Sequence, residues 1–278
     1  EKYFKCRARC DGRQTGKYAM SQSESAERLT GLAEIYAAHR PDYPGEVMNA
    51  LGERALQAGA PQVALDIGCG TGISTMALAG VLEGWRIIGA EPNADMRAKA
   101  SVTCAAQPNI EFIADGAEAV SLDDGAAGVV MAAQALHWFD ATRFFSEAAR
   151  LLTSGGVLAI LYNNRQTAQS IVLSEIETYL EGIDDSYNRN YRSRDIPAEL
   201  SQLGEFTDVT RARHVWHRMT SADDLVNYFM SRSMLQPLAD KTGKYKLRQR
   251  IGDIADEHAE AGMLRIPFAS ELDMATRR

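Results

Sequence analysis

The stretch Leu65-Asp66-Ile67-Gly68-Cys69-Gly70-Thr71-Gly72 constrains this chain more than any other. The short apolar run Val63-Ala64-Leu65 leads into it and reads as a buried strand of a parallel sheet. Residues 73–82 follow, with apolar side chains at Ile73, Met76, Ala77 and Val81, near helical spacing. The glycines therefore stand where a strand turns into a helix. Glycine there reaches positive φ and lets a ligand approach the backbone with no Cβ in the way. The helix start adds free N–H groups and a partial positive charge.

The spacing narrows what the turn can hold. A dinucleotide fingerprint needs G-x-G-x-x-G. This chain has Gly68 and Gly70, then Ile73 where the third glycine belongs; Gly72 comes one residue early. Asp66 would also repel a pyrophosphate, whereas it would attract a ligand carrying an ammonium and a sulfonium. Residues 65–72 resemble the first motif of the class I S-adenosylmethionine-dependent methyltransferases, an acidic residue followed by G-x-G-x-G. The resemblance implies that Asp66, Gly68, Gly70 and Gly72 hold the methionine end of S-adenosylmethionine. An NAD-dependent oxidoreductase is the alternative, opposed by the missing glycine; a non-catalytic module that binds the same cofactor is another.

Later strand ends carry a matching set. Residues 86–91 read as a second strand ending in Glu91, which follows Gly72 at the distance of about twenty residues typical of a ribose-binding acid. Residues 110–116 form a short strand ending in Asp115-Gly116; the resemblance implies that Asp115 meets the adenine edge, with Gly116 beside it. Asp-Gly is also a common turn. Residues 127–133 are a fourth apolar strand, and Gln134-Ala135-Leu136-His137-Trp138-Phe139 after it is implied to flank the methyl group and the acceptor. Upstream, Tyr36, Arg40 and Tyr43 surround Pro41 and Pro44. Such a Tyr…Arg-Pro…Tyr-Pro loop is similar to one that folds over the cofactor in small-molecule methyltransferases, so Tyr36 and Arg40 join the expected contacts. The agreement spans about residues 36–162.

The expected fold is α/β, a Rossmann-like doubly wound, mostly parallel seven-stranded sheet with an added helical cap. Helices are expected at 26–38, 46–58, 94–106 and 142–152, the last stopped by Ser154-Gly155-Gly156. Further strands are expected at 157–162, 206–219 and 263–274, and helices at 225–235 and 244–261. Cap segments near 168–204 and 222–262 exceed what the sheet needs. The chain of 278 residues is read as one methyltransferase domain over 20–278, large enough for a sizeable core. Residues 1–19 hold six Lys or Arg against two acids and are read as a basic, disordered or non-native extension.

Composition limits the partners. The net charge of −7 opposes general binding to a nucleic-acid backbone. Arg189, Arg192 and Arg194 read as a solvated loop. No apolar run spans a membrane. Cys6, Cys10, Cys69 and Cys104 have no metal-ligand spacing, and a reduced, cytoplasmic protein with no metal is the expectation. The acceptor is expected to be a small molecule, since Ala-Leu-His-Trp stands where amino-group methyltransferases carry Asn-Pro-Pro-Tyr. The loop and the Leu-His-Trp-Phe segment resemble trans-aconitate methyltransferase-like and natural-product enzymes. His137 is the expected catalytic base, because it follows the fourth strand and titrates near neutral pH. Trp138 and Phe139 either stack on a substrate or pack the core. Tyr162 and Asn163 are weaker candidates, and His214, His217 and His258 read as structural.

Overall fold

The computed structural model describes residues 29–278; the expected extension at 1–19, and the start of the helix expected at 26–38, lie outside them. The seven strands form one sheet in the order β3-β2-β1-β4-β5-β7-β6. They are β1 (Val63–Ile67), β2 (Arg86–Ala90), β3 (Ile110–Ile113), β4 (Ala127–Ala133), β5 (Leu152–Arg165), β6 (Phe206–Thr220) and β7 (Leu264–Arg277). Strands β1 to β5 pair in parallel, and β7 runs antiparallel to both of its neighbours. Strand order reverses between β1 and β4, which opens a crevice at their carboxyl ends.

The apolar periodicities build a layer on each sheet face. Helices α1 (Ala33–His39) and α2 (Gly45–Gln57) precede β1, and α3 (Ile73–Val81) follows it. Val47, Leu51 and Leu78 from α2 and α3 pack with Trp85, Ile87 and Val129 on one face. On the other face, Phe144 and Ala148 of α5 (Ala141–Leu151) meet Leu65, Ile67 and Val130. Helix α4 (Ala94–Thr103) follows β2, capped by the Asn93 side chain, which accepts from the Met96 amide.

The cap is a second core. Helices α6 (Ile171–Ile183), α8 (Ala222–Met230), α9 (Gln236–Thr242) and α10 (Lys244–Glu257) bury Leu173, Ile176, Phe229, Leu247 and Ile251 against Leu264, Ile266 and Phe268 of β7. Trp216 stacks on Phe268, with ring centroids 4.9 Å apart. Helix α7 (Ile196–Gln202) belongs elsewhere: Ile196 and Leu200 pack into the main sheet core. The cap expected at 168–204 is therefore divided between two cores.

Several boundaries differ from expectation. The first helix begins at Ala33, after a turn through Gly31. Strand β5 begins at Leu152 rather than Val157, and Ser154-Gly155-Gly156 lies inside it. The register passes from Ala127↔Leu152 to Val129↔Val157, so the extra β5 residues bulge and the glycines absorb the bulge. Helix α8 starts three residues early, where the Ser221 hydroxyl accepts from the Asp224 amide, and it stops at Met230. Helix α9, opened by Pro237 and separated from α10 by Gly243 at φ +87°, was not expected.

One buried polar chain ties edge strand, sheet and loop together. Trp216 Nε1 donates to Ser270 Oγ (2.8 Å), which donates to Asn163 Oδ1 (2.6 Å). Asn163 Nδ2 donates to the Asp42 carbonyl (3.1 Å), fastening the proline loop to the sheet. Ser270→Ala strands both buried partners and should cost about 1–3 kcal/mol. Urea unfolding should show a lower midpoint at unchanged slope; an unchanged midpoint would contradict the assignment.

Candidate functional site

The register of β1 on β2 sets the site. Ile67 pairs with Ala90, so the glycine turn after β1 lies beside Glu91 after β2. The amides of Gly68 and Cys69 both donate to the Ala90 carbonyl, at 2.8 and 3.2 Å. The Gly70 amide then donates to Glu91 Oε2 (3.0 Å), and the Asn93 amide to Glu91 Oε1 (2.8 Å). Burial lifts the Glu91 carboxyl above its ordinary range, opposed by these two amide bonds.

A cleft opens over this turn, walled by the glycine turn, the loops after β2, β3 and β4, and residues of the cap. Of the expected site residues, Tyr36, Arg40, Gly68, Gly70, Glu91, Gly116, Gln134 and His137 all line it. A smaller cavity shares Tyr36, Arg40, Gly68, Gly70 and Gln134 and extends over the start of α3. Arg40 lies over the Tyr36 ring, 4.4 Å from its centroid, and its Nη2 donates to the Ser231 carbonyl (3.3 Å).

The three turn glycines have different tasks. A Cβ on Gly68 would strike Ala135 Cβ at 2.7 Å, and one on Gly72 would strike Cys104 Sγ at 2.9 Å. Both glycines permit packing of the turn, against the loop after β4 and against α4. Gly70, at φ +56°, has nothing within 4 Å of its Cβ position and faces the open cleft.

Three expected residues do not reach the cleft wall. Gly72 is one. Asp66 is fully buried beneath the turn, where its Oδ2 accepts from Ser74 Oγ (2.6 Å) and Thr75 Oγ1 (2.7 Å). Its Oδ1 is buried with no partner, and burial pushes the carboxyl up to about 6 against the pull of the two hydroxyls. Asp115 turns away: its Oδ2 accepts from the Ser121 amide (2.7 Å), and Gly116, Ala117 and Glu118 line the cleft instead. The turn signal of Asp-Gly is what this position expresses.

The loop after β4 closes the far wall. The Gln134 amide donates to the Leu161 carbonyl (2.8 Å), continuing the β4–β5 register, and Gln134 adopts φ +57°, rare for a residue with a side chain. His137 lies on a 3₁₀ turn (Leu136–Trp138), ringed by Trp138, Tyr162 and Tyr191, with Tyr162 Oη 3.5 Å from its Nδ1. Burial, then the positive charges of Arg192, Arg40 and Arg232, hold the imidazole well below its ordinary range. His137 is therefore held in its neutral form, and the same burial and positive charges weaken it as a proton acceptor. Trp138 lines the cleft; Phe139 does too while packing on Phe144. Asn163 is occupied by the buried polar chain. His214 and His258 face Glu46 and Glu175 at 3.4 and 3.0 Å, and His217 lies 3.1 Å from Arg265, all away from the cleft.

The expected solvated loop divides. Arg189 pairs with Glu181 and Arg194 with Glu199, but Arg192 turns inward, donates to Gln134 Oε1 and lines the cleft with Tyr191. Arg232, Ser233 and Met234, after α8, complete the wall. No sequence spacing marks these cap residues, because cap packing alone brings them to the strand ends.

Gly70→Ala and Gly72→Ala should separate the two tasks. Gly70→Ala should cost the fold only the left-handed strain of about 1–2 kcal/mol while weakening ligand binding. Gly72→Ala should add the clash with α4 and lower the melting temperature further. Thermal melts paired with S-adenosylhomocysteine calorimetry check this; equal losses of stability and equal binding would refute the division.

Comparisons with known proteins agree with this geometry. A family profile described as a methyltransferase domain matches residues 65–160. An uncharacterized methyltransferase of Mycobacterium tuberculosis is 31% identical over 248 residues, covering 87% of this chain and 92% of that one. A candidate methyltransferase of Dictyostelium discoideum is 28% identical over 211 residues, 74% and 76% of the two chains. Among solved structures, a candidate type II methyltransferase from Anaeromyxobacter dehalogenans superposes with a TM-score of 0.64 at 21% identity, covering 86% of this chain and 97% of that chain; this shows a shared fold.

Proposed function

This chain belongs to the methyltransferases, and we propose that the cleft over Gly70 and Glu91 binds S-adenosylmethionine as methyl donor and presents its methyl group to a small-molecule acceptor. The observation that carries the reading is the pairing of a Cβ-free stretch of backbone with a buried carboxylate on the next strand, joined by the Gly70–Glu91 bond and both facing the cleft. The oxidoreductase alternative has no support in the family assignment.

The residues fit the donor. Glu91 would accept from the ribose hydroxyls with the lone pairs its two amide partners leave free. Gly116 and Ala117 bound the adenine end, and Asp115 acts through the turn it holds. Asp66 supplies negative charge beneath the turn to a ligand ammonium, and Arg40 supplies positive charge to a ligand carboxylate. Tyr36 and Gln134 close the same end. When bound, the donor supplies an electrophilic methyl group on a sulfonium. The chain's task is then to align the acceptor in line with that carbon and to exclude water. His137 borders the acceptor space and is the group placed to take a proton from an acceptor atom that must lose one; the negative charge left on that atom would offset the arginines that weaken it as a base.

Two measurements test this reading. Glu91→Ala removes a charged hydrogen-bond acceptor and should weaken S-adenosylhomocysteine binding by about 2 kcal/mol; unchanged affinity by calorimetry would remove Glu91 from the ribose. The second is pH dependence. Asp66 titrates near 6 in the free protein, and a ligand ammonium favours its ionised form. Affinity should therefore be level above that value and fall by up to about tenfold per pH unit below it. Asp66→Asn should bind weakly with a flatter profile. A wild-type affinity constant from about pH 8 to pH 5 would show that Asp66 does not sense the ligand.

A further inference from the structure

The acceptor side of the cleft holds more positive charge than the protein neutralises. Glu177 on α6 is fully buried and meets three donors: Arg165 Nη2 (2.9 Å), Arg232 Nη1 (3.2 Å) and the Tyr187 hydroxyl (2.7 Å). Arg165 Nη1 also donates to the Tyr228 hydroxyl (2.7 Å). One carboxylate thus serves two guanidiniums. Among the described residues Arg192 faces no carboxylate; its partner is the neutral amide oxygen of Gln134, and the rings of Tyr191 and Tyr162 lie 4.9 and 5.3 Å from its guanidinium carbon. With Arg40 assigned to the donor's carboxylate, three arginines face one carboxylate, an excess of two charges.

These charges are poorly satisfied. Arg232 is 2% exposed, and its Nε and Nη2 are buried without a partner, as is Arg192 Nε. Unpaired buried charge is costly and persists where a ligand supplies the missing partner. The field is felt nearby: Tyr228, which burial alone would raise, is brought down to about 8 by Arg165, Arg40, Arg232 and Arg192. Both Arg192 and Arg232 line the cleft beside His137, and Arg192 also lines a second, more polar opening with Arg165 and Glu271. The acids of the cleft, Glu91 and Glu118, stand on the loops after β2 and β3.

We propose that the methyl acceptor is an anion, presenting a carboxylate or a phosphate to Arg232 and Arg192 beside His137. The proposal rests on the donor reading of the same cleft. Arg232, held by Glu177 and flanked by Phe229 and Tyr187, is the fixed half of the clamp; Arg192, on the segment between α6 and α7, is the half that approaches from the cap. Planar guanidiniums suit either oxyanion.

The test is calorimetry on the full chain saturated with S-adenosylhomocysteine. Benzoate and phenyl phosphate are the probes, because the cleft wall carries Trp138 and Tyr191, and benzyl alcohol is the uncharged control. At least one anion should bind saturably and more tightly than benzyl alcohol. Arg192→Gln should weaken that binding about tenfold and Arg192→Lys by less, each measured on protein saturated with S-adenosylhomocysteine so that any change in donor affinity does not enter. Preference for benzoate assigns a carboxylate head, and preference for phenyl phosphate a phosphate. Benzyl alcohol binding as tightly as both anions, no saturable anion binding, or anion affinity indifferent to Arg192→Gln would each overturn the proposal while leaving the donor reading standing. Failure of the first titration, with S-adenosylhomocysteine itself, would remove that reading and this proposal with it.

Discussion

The bond from the Gly70 amide to the Glu91 carboxylate is the contact around which the site is organised. It joins the ends of two neighbouring parallel strands and exists because Ile67 pairs with Ala90. A shift of that register would carry Glu91 away from the turn. The same register lays the first turn amides on the Ala90 carbonyl, so the turn is held from below by backbone and from the side by carboxylate. The crevice at the strand-order reversal then lies over it. The catalytic fold is in this sense a device for bringing one flexible backbone position against one buried acid.

The rest of the cleft is built by cores of different origin. The sheet core places β1, β2 and β4, and with them Gly70, Glu91 and Gln134. The cap core, centred on Phe229, Leu247 and Phe268, places Arg232 and the Tyr228 hydroxyl. The proline loop joins the two: Asn163 holds the Asp42 carbonyl from the sheet side, while Arg218 donates to the His39 carbonyl (2.6 Å) from β6.

The strand-end side of the cleft was largely legible in the sequence, and the cap side was not. Strand-to-helix turns carry local signals, so Gly68, Gly70, Glu91, Gly116, Gln134 and His137 were read from spacing and from a family resemblance, and the structure brings them to one cleft. Asp66 and Gly72 were read as contacts, but they support the turn from beneath and behind; a linear motif does not say which side of a turn a residue faces. Asp115 expressed the ordinary chemistry of an Asp-Gly turn. Ser154-Gly155-Gly156 looked like a helix stop, yet a bulge keeps it within β5. Arg192 and Arg232 gave no signal, because their roles arise from packing between segments distant in sequence, and Arg192 shares a loop with two arginines that do pair at the surface.

The central claim is that the turn at Gly70 and Glu91 selects S-adenosylmethionine over a dinucleotide. Calorimetric titration of the full chain with S-adenosylhomocysteine, repeated in the presence of NAD, tests it most directly. The account predicts one saturable site per chain whose affinity NAD leaves unchanged. Absence of S-adenosylhomocysteine binding at about 1 mM, a concentration that detects binding as weak as about −4 kcal/mol, or its displacement by NAD, would contradict it.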